Sequence, residues 1–197
     1  MDSITQTKLS KYLKDFKEAV FTAYNNYTIW WLYKSERPKY VDVMNKYLGF
    51  FTNSIYAHFV AMLMAITSIL DKKSHKYNSL YSFISFLEDE KILDESVLIN
   101  IKNIEDEIAP FVPKLMILRN NIFAHISAKL DSDKTFEMAN LRYDDFRDVI
   151  FHCGDILDIV LREITKTRFY YNYNPGSVDT ESLLNDLILL EKKLDSK

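Results

Sequence analysis

A chain of 197 residues is long enough for one domain, or for one domain with a helical extension. Its 48% hydrophobic and 14% aromatic residues supply a core and exclude a disordered chain. The formal net charge of -3 gives no overall attraction to nucleic acid, so a polyanion site has to be a local patch.

The scarcity of glycine, proline and cysteine limits the fold class further. Three glycines and four prolines are too few for a many-stranded fold, which turns about every 8–12 residues. The single Cys153 excludes a disulfide framework and a multi-cysteine zinc site. No secretory signal is visible, and the most apolar stretch, residues 55–70, is shorter than the roughly 20 residues of a membrane span. We therefore expect a cytoplasmic, all-α protein that does not enter a membrane.

Apolar residues recur at three- and four-residue steps through most of the chain, which predicts amphipathic helices. The predicted helices span residues 5–35, 38–70, 79–87, 94–129 with an interruption at the prolines before residue 114, 143–169 and 180–194. The stripe of the first helix consists of Leu9, Leu13, Phe16, Val20, Ala23, Tyr27 and Trp30. This pattern predicts an elongated bundle of about five to six helices.

Proline and capping residues mark the predicted breaks. Pro38 ends the first helix because the residue before proline avoids the helical region, and Asp94 is a suitable N-cap. Pro110 and Pro113 break or kink the fourth helix, and Asn174-Pro175-Gly176 fits a turn. We expect residues 1–170 to form the bundle, and residues 171–197 to form a turn and a C-terminal helix that packs on the bundle or on a partner chain.

One stretch combines ionisable side chains with core-type neighbours, namely Arg119-Asn120-Asn121-Ile122-Phe123-Ala124-His125. A guanidinium on a helix directed inward needs an anion or other acceptors, since an unpaired buried charge is costly. Histidine can take the proton of a 2′-hydroxyl or protonate a departing oxygen, and arginine can hold the non-bridging oxygens bidentately. The pair therefore suits cleavage of RNA, and the sequence offers no metal cluster and requires no cofactor.

The spacing of the two residues predicts a further requirement. Six positions leave the two side chains about 120° apart around an ideal helix and about 9 Å apart along it. They would not converge on one phosphate from a single straight helix. Either the helix is distorted, or a two-fold dimer brings two arginines and two histidines into one cleft. We expect a homodimer.

This pattern of arginine, a polar residue, apolar residues and histidine resembles the signature of ribonucleases of the HEPN (higher eukaryotes and prokaryotes nucleotide-binding) superfamily. The similarity extends from about residue 51 to 161 and includes the Leu70-Asp71 step, and its layout is similar to the branch linked to abortive phage infection. The resemblance implies an all-α dimer that cleaves RNA without metal and leaves 2′,3′-cyclic phosphates. It also implies that Arg119 and His125 are catalytic, with Asn120 as the polar position.

One position departs from the family pattern. Many toxin members have tyrosine two residues after the histidine, where a partner nucleotidyltransferase attaches AMP, and this chain has Ser127 there. Regulation by that route is therefore not expected, although an antitoxin or another regulatory protein stays a possible partner.

Basic residues outside the motif could contact an RNA substrate. The candidates are Lys72, Lys73, Lys76, Lys129 and Arg168. Contact with phosphates beside bases stacked on aromatic rings is one interpretation, and ordinary surface charge is the other.

Simpler interpretations apply to the remaining polar groups. Arg119 and His125 could form a structural pair that caps helices or bridges subunits through a carboxylate. His58 and His152 are expected to be satisfied within the helices, and the acidic runs at residues 88–90 and 105–107 to be solvated.

Three hypotheses for the function follow. The first is a metal-independent endoribonuclease with a toxin or anti-phage role, and the second is an inactive HEPN-like dimer that binds a nucleotide, RNA or a regulatory protein. The third is a purely structural dimer.

Overall fold

The computed structural model describes residues 2–72, 79–124, 139–170 and 175–195, and these residues form α-helices and no β-strand. The all-α prediction is confirmed. The described part contains the helices α1 (Ser3–Ser35), α2 (Arg37–Lys46), α3 (Leu48–Leu70), α4 (Leu80–Asp89), α5 (Glu95–Ile108), α6 (Val112–Ala124), α7 (Tyr143–Thr165) and α8 (Pro175–Asp195).

The prediction of about five to six helices is wrong, because the described residues form eight. One extra break falls at Tyr47, whose φ of -110° and ψ of 40° separate α2 from α3. Leu48, the first residue of α3 after this break, is 58% exposed. The other break surrounds Pro110, where a break or kink was predicted, and it separates α5 from α6.

α1 supplies the longest stripe of the core. All seven predicted core residues, from Leu9 to Trp30, are buried, which confirms this prediction. α1 packs along α3 and α7, and the ring of Trp30 lies 5.3 Å from Phe59 of α3 and 5.9 Å from Phe146 of α7. Aromatic pairs at such distances contribute about 0.5–1.5 kcal/mol beyond area burial. This junction fixes the positions of α3 and α7 on α1.

A second, smaller core joins α8 to α1 and α2. Leu184 of α8 is fully buried in a cluster with Tyr33 of α1 and Tyr40 of α2. The hydroxyl of Tyr40 donates to Oδ1 of Asn185 at 3.1 Å, which anchors the polar edge of this contact. α8 thus packs on the bundle, while the division of the chain at residue 170 stays a prediction.

The predicted turn at Asn174-Pro175-Gly176 is wrong, because α8 begins at Pro175. Proline is favoured in the first turn of a helix, where its missing N–H would have no partner in any case. Of the other predicted ends, α7 stops at Thr165 rather than at residue 169.

α3 is long and apolar enough to cross a membrane, so the prediction that this stretch is too short is wrong. Its 23 residues include no charged side chain. The same composition suits a core helix, and α3 packs against α1 and buries residues such as Met62, Ile66 and Leu70. Length and apolarity alone are therefore weak grounds for a membrane span.

Two phenylalanines on α1 test the assignment of the core. Phe16 is fully buried and Phe21 is 41% exposed. We expect Phe16→Ala to lower the free energy of unfolding by about 3–5 kcal/mol, because it leaves a cavity. Phe21→Ala is the matched control and should change that free energy by less than about 1 kcal/mol. Urea unfolding measures both, and equal losses would contradict the burial of α1 described above.

Candidate active site

α6 carries the predicted catalytic arginine. Leu115 and Leu118 are 1% and 0% exposed, so they fix the rotation of α6 against the core. Arg119 follows on the next position with 23% of its side chain exposed, and Asn120 is exposed. Ile117, another apolar neighbour of the motif, is 40% exposed. Arg119 therefore lies at the border between core and solvent.

Arg119 forms an ion pair with the residue that ends α3. Its Nη1 donates to Oδ2 of Asp71 at 3.0 Å, and the side chain of Asp71 is also 23% exposed. Asp71 is the C-cap of α3, where the backbone leaves the helix with φ of -76° and ψ of 102°. The pair links two helix segments 48 residues apart in the chain. A guanidinium has five N–H donors, so Arg119 retains donors for a second anion.

Asn120 also contacts Arg119. Nε of Arg119 lies 3.5 Å from Oδ1 of Asn120, at the outer limit of a hydrogen bond. The exposed amide is thus adjacent to the guanidinium.

Lys72 directly follows Asp71 and lies against α4. Its Nζ is 4.0 Å from the ring centroid of Tyr81, a distance suited to a cation–π interaction. Burial, together with the charges of Glu105 and Cys153, raises the pKa of Tyr81 to about 12. The hydroxyl of Tyr81 is buried and has no hydrogen-bond partner among the described residues. Of the predicted RNA contacts, Lys72 is thus the one that the described structure brings beside the Arg119–Asp71 pair.

Glu105 is less exposed than predicted, because the acidic run at residues 105–107 was expected to be solvated. It is partly buried on α5, and this burial raises the pKa of its carboxyl, while Lys72 lowers it. This burial was not predictable from the sequence, because Glu105 lies in a run with Asp106 and Glu107, both of which are exposed.

Several predicted site residues lie outside the described residues. These are His125, Lys73, Lys76 and Lys129, together with Ser127, the position at which the chain differs from the family pattern. Their roles stay predictions.

Arg168 lies on a different surface from Arg119. It is exposed on the segment after α7, where the N–H of Phe169 donates to Oδ1 of Asp158 at 2.8 Å. The flanking Thr167 and Phe169 line an open groove against α1, and neither Asp71 nor Arg119 lines this groove.

The other histidines within the described residues have partners in the fold. Nδ1 of His58 lies 2.8 Å from Oδ1 of Asn26, and burial lowers the pKa of His58, which confirms a satisfied helix histidine. Nε2 of His152 lies 3.2 Å from Oε2 of Glu107, although its Nδ1 is buried without a partner in the described part of the chain.

Cys153 lies in the core of the bundle. Cys153 is fully buried and burial raises its pKa to about 12, so its thiolate form is disfavoured. Residues 2–72, 79–124, 139–170 and 175–195 contain no group of three or more side chains suited to hold a metal ion.

Comparison with known proteins identifies the family. The family model HEPN_AbiU2, described as AbiU2, matches residues 6–190 and so includes both Arg119 and His125. No curated protein and no solved structure matches the chain. The family match covers nearly all of the sequence, from the first turn of α1 into the last part of α8. The chain therefore belongs to the AbiU2 family of HEPN-type abortive-infection proteins.

Proposed function

We propose that this protein is a metal-independent endoribonuclease that acts in abortive infection. The observation that carries the proposal is Arg119, a guanidinium at the edge of the core that Asp71 orients at 3.0 Å. Such a group can bind a phosphodiester without further reorganisation, because its ion pair already fixes the direction of its planar donors.

The reaction follows from the chemistry of the two motif residues. His125 accepts the proton of a 2′-hydroxyl as the 2′-oxygen attacks phosphorus, and the bond to the 5′-oxygen breaks as that oxygen gains a proton. Arg119 stabilises the negative charge that grows on the non-bridging oxygens. The products are a 2′,3′-cyclic phosphate and a 5′-hydroxyl.

The RNA cleavage proposal predicts a specific pattern of losses. Cleavage of single-stranded RNA should persist in EDTA and should fail when the 2′-hydroxyl at the scissile step is replaced by hydrogen. Arg119→Ala and His125→Ala should each lower the rate by at least about 100-fold, as is usual for loss of a general base or a charge-stabilising donor. Product analysis by gel electrophoresis checks each variant. Loss of cleavage in EDTA, or equal cleavage of DNA, would refute the mechanism.

The ion pair predicts a positioning role for Asp71. Asp71→Asn should lower kcat about tenfold or more and change KM little, because Arg119 loses its orientation rather than its charge. The free energy of unfolding should fall by less than about 2 kcal/mol, since the pair is partly solvated. The matched control is Glu88→Gln, which removes an exposed ion pair of 2.7 Å with Lys102 and should leave kcat and stability unchanged. A normal kcat in Asp71→Asn would contradict the role.

We also propose that the active unit is a homodimer, and the surface of α3 supports this. Phe50, Ala57 and Met64 are spaced by seven residues, lie on one stripe and are all exposed, with Phe50 at 60% and Met64 at 40%. Only 39% of the most apolar 18 residues of α3 are buried, and the whole helix has no charged residue. A large apolar face without charge is typical of a protein–protein contact.

Charges on this stripe should separate the dimer. Ala57→Lys with Met64→Lys should shift sedimentation from dimer to monomer, because two charges would be buried on each side. Ile99→Lys is the matched control: Ile99 is 54% exposed on α5, a helix with charged residues, and its change should leave the dimer intact. A monomeric parent protein at micromolar concentration would contradict the dimer.

A mixing experiment tests whether one site uses both chains. Arg119→Ala and His125→Ala protein are unfolded and refolded together, so that a mixed dimer holds one intact arginine and one intact histidine on different chains. Return of activity, in proportion to the mixed dimer, is expected if the site is shared. No return would contradict a site built from one cross-chain pair.

The ion pair also favours a second function, a binding module without catalysis. An arginine that Asp71 orients, with donors to spare, would bind the phosphate of a nucleotide or RNA equally well without cleaving it. Stabilisation of the parent protein by a nucleotide or RNA, with no turnover, would identify this function.

A further inference from the structure

An open groove lies between the first half of α1 and the end of α7. Its volume is about 780 Å³, within the range of about 300–1,000 Å³ that ligand-sized clefts occupy. Leu13 and Leu161 form an almost buried floor, and the partly exposed side chains of Phe21 and Phe169 contribute aromatic walls. The groove therefore offers apolar and aromatic surface that none of the helices in the described part covers.

The groove is locally basic although the whole chain is acidic. Lys14 and Lys17 of α1 line it and are exposed, and neither forms an ion pair within the described part of the chain. Glu18 is the one acid that lines it, so the lining residues described here carry a net charge of +1. Arg168, exposed between Thr167 and Phe169, adds a further positive charge at the edge.

We infer that this groove binds an unpaired segment of RNA, with Lys14 and Lys17 on phosphates and a base stacked on Phe21. Every base has a flat face that stacks on an aromatic ring, and cations beside such rings track the backbone. The hydroxyls of Ser10, Thr165 and Thr167 add donors and acceptors suited to ribose and base edges. An acidic amphipathic helix would also form ion pairs with the two lysines. Its aliphatic side chains would, however, lie against these hydroxyls and offer them no hydrogen-bond partner.

The inference rests on RNA as the substrate class of the proposed function, but it concerns a separate surface. Asp71, Lys72, Arg119 and Asn120 do not line the groove. The groove would hold the strand, while the motif would act on a phosphate elsewhere along it.

Binding is measured on full-length protein with His125→Ala, so that RNA is not consumed. The probe is a short, fluorescein-labelled, single-stranded RNA of mixed sequence, and the readout is anisotropy at several salt concentrations. Lys14→Ala with Lys17→Ala should raise Kd at least about tenfold and reduce the slope of log Kd against log salt by about 1.4, or 0.7 for each contact. Phe21→Ala should raise Kd about 5- to 100-fold and leave the slope unchanged.

The matched control removes the same charge from another surface. Lys192→Ala with Lys193→Ala changes two lysines in the last turn of α8 and should alter Kd less than about twofold. A similar loss in the control would show unspecific attraction to surface lysines and would overturn the inference. So would unchanged binding in the groove variants, no RNA binding by the parent protein, or binding of an acidic leucine–glutamate helical peptide in place of RNA.

The proposed reaction can fail separately. Binding that depends on the groove, in a protein that never cleaves RNA, would refute the reaction and leave the groove assignment intact. Cleavage that depends on Arg119, with normal RNA binding in the groove variants, would overturn the groove assignment alone.

Discussion

A helix of 33 residues such as α1 is about 50 Å long, and no single neighbour of the bundle can cover one face of it completely. α3 and α7 cover the stripe around Trp30, and the phenylalanines of α4 contact it nearer the N-terminus. α2 and α8 cover the C-terminal part through the smaller core. Every other helix position depends on this division. The break at Tyr47 is one consequence, because α2 has to pack against α8 while α3 packs along α1.

The same constraint positions the candidate active site. Because the rings of Trp30 and Phe59 fix α3 on α1, the C-terminal end of α3 has a defined place, and Asp71 has a defined place with it. α6 packs against α3 through a face that includes the buried Leu118, so Arg119 lies opposite Asp71. An ion pair between partly exposed groups contributes only about 0–1 kcal/mol to stability in the usual case. Its value for this protein is therefore the orientation of the guanidinium rather than the stability of the fold.

The sequence predicted those features that depend on one helix at a time. The stripe from Leu9 to Trp30 was predictable because seven apolar residues follow a single helical period. The helix break at Tyr47 was missed because the apolar residues keep the same helical spacing on both sides of this single-residue bend. Pro175 was misassigned because proline followed by glycine fits a turn as well as the first turn of a helix.

The candidate site was predictable only in part, for the same reason. Arg119 stood out as a charge among apolar neighbours, which is a local signal. Its partner Asp71 lies 48 residues away, so the contact depends on how α3 and α6 pack. The partial burial of Glu105 and the contact of Lys72 with Tyr81 also depend on packing between different helices.

The distribution of charge assigns different tasks to the two surfaces if RNA binds as proposed. Among the described residues, Arg119 is neutralised by Asp71 and Lys72 is opposed by Glu105, so these four groups together attract a polyanion weakly from a distance. Lys14 and Lys17 have no such partners within the described residues, and they would release counterions when they contact phosphates. The groove should therefore determine how binding depends on salt. The Arg119 region should act through the geometry of its hydrogen bonds, which salt screens much less over such short distances. A chain with a net charge of -3 can in this way gather RNA at one surface and select a phosphate at another, without general affinity for nucleic acid.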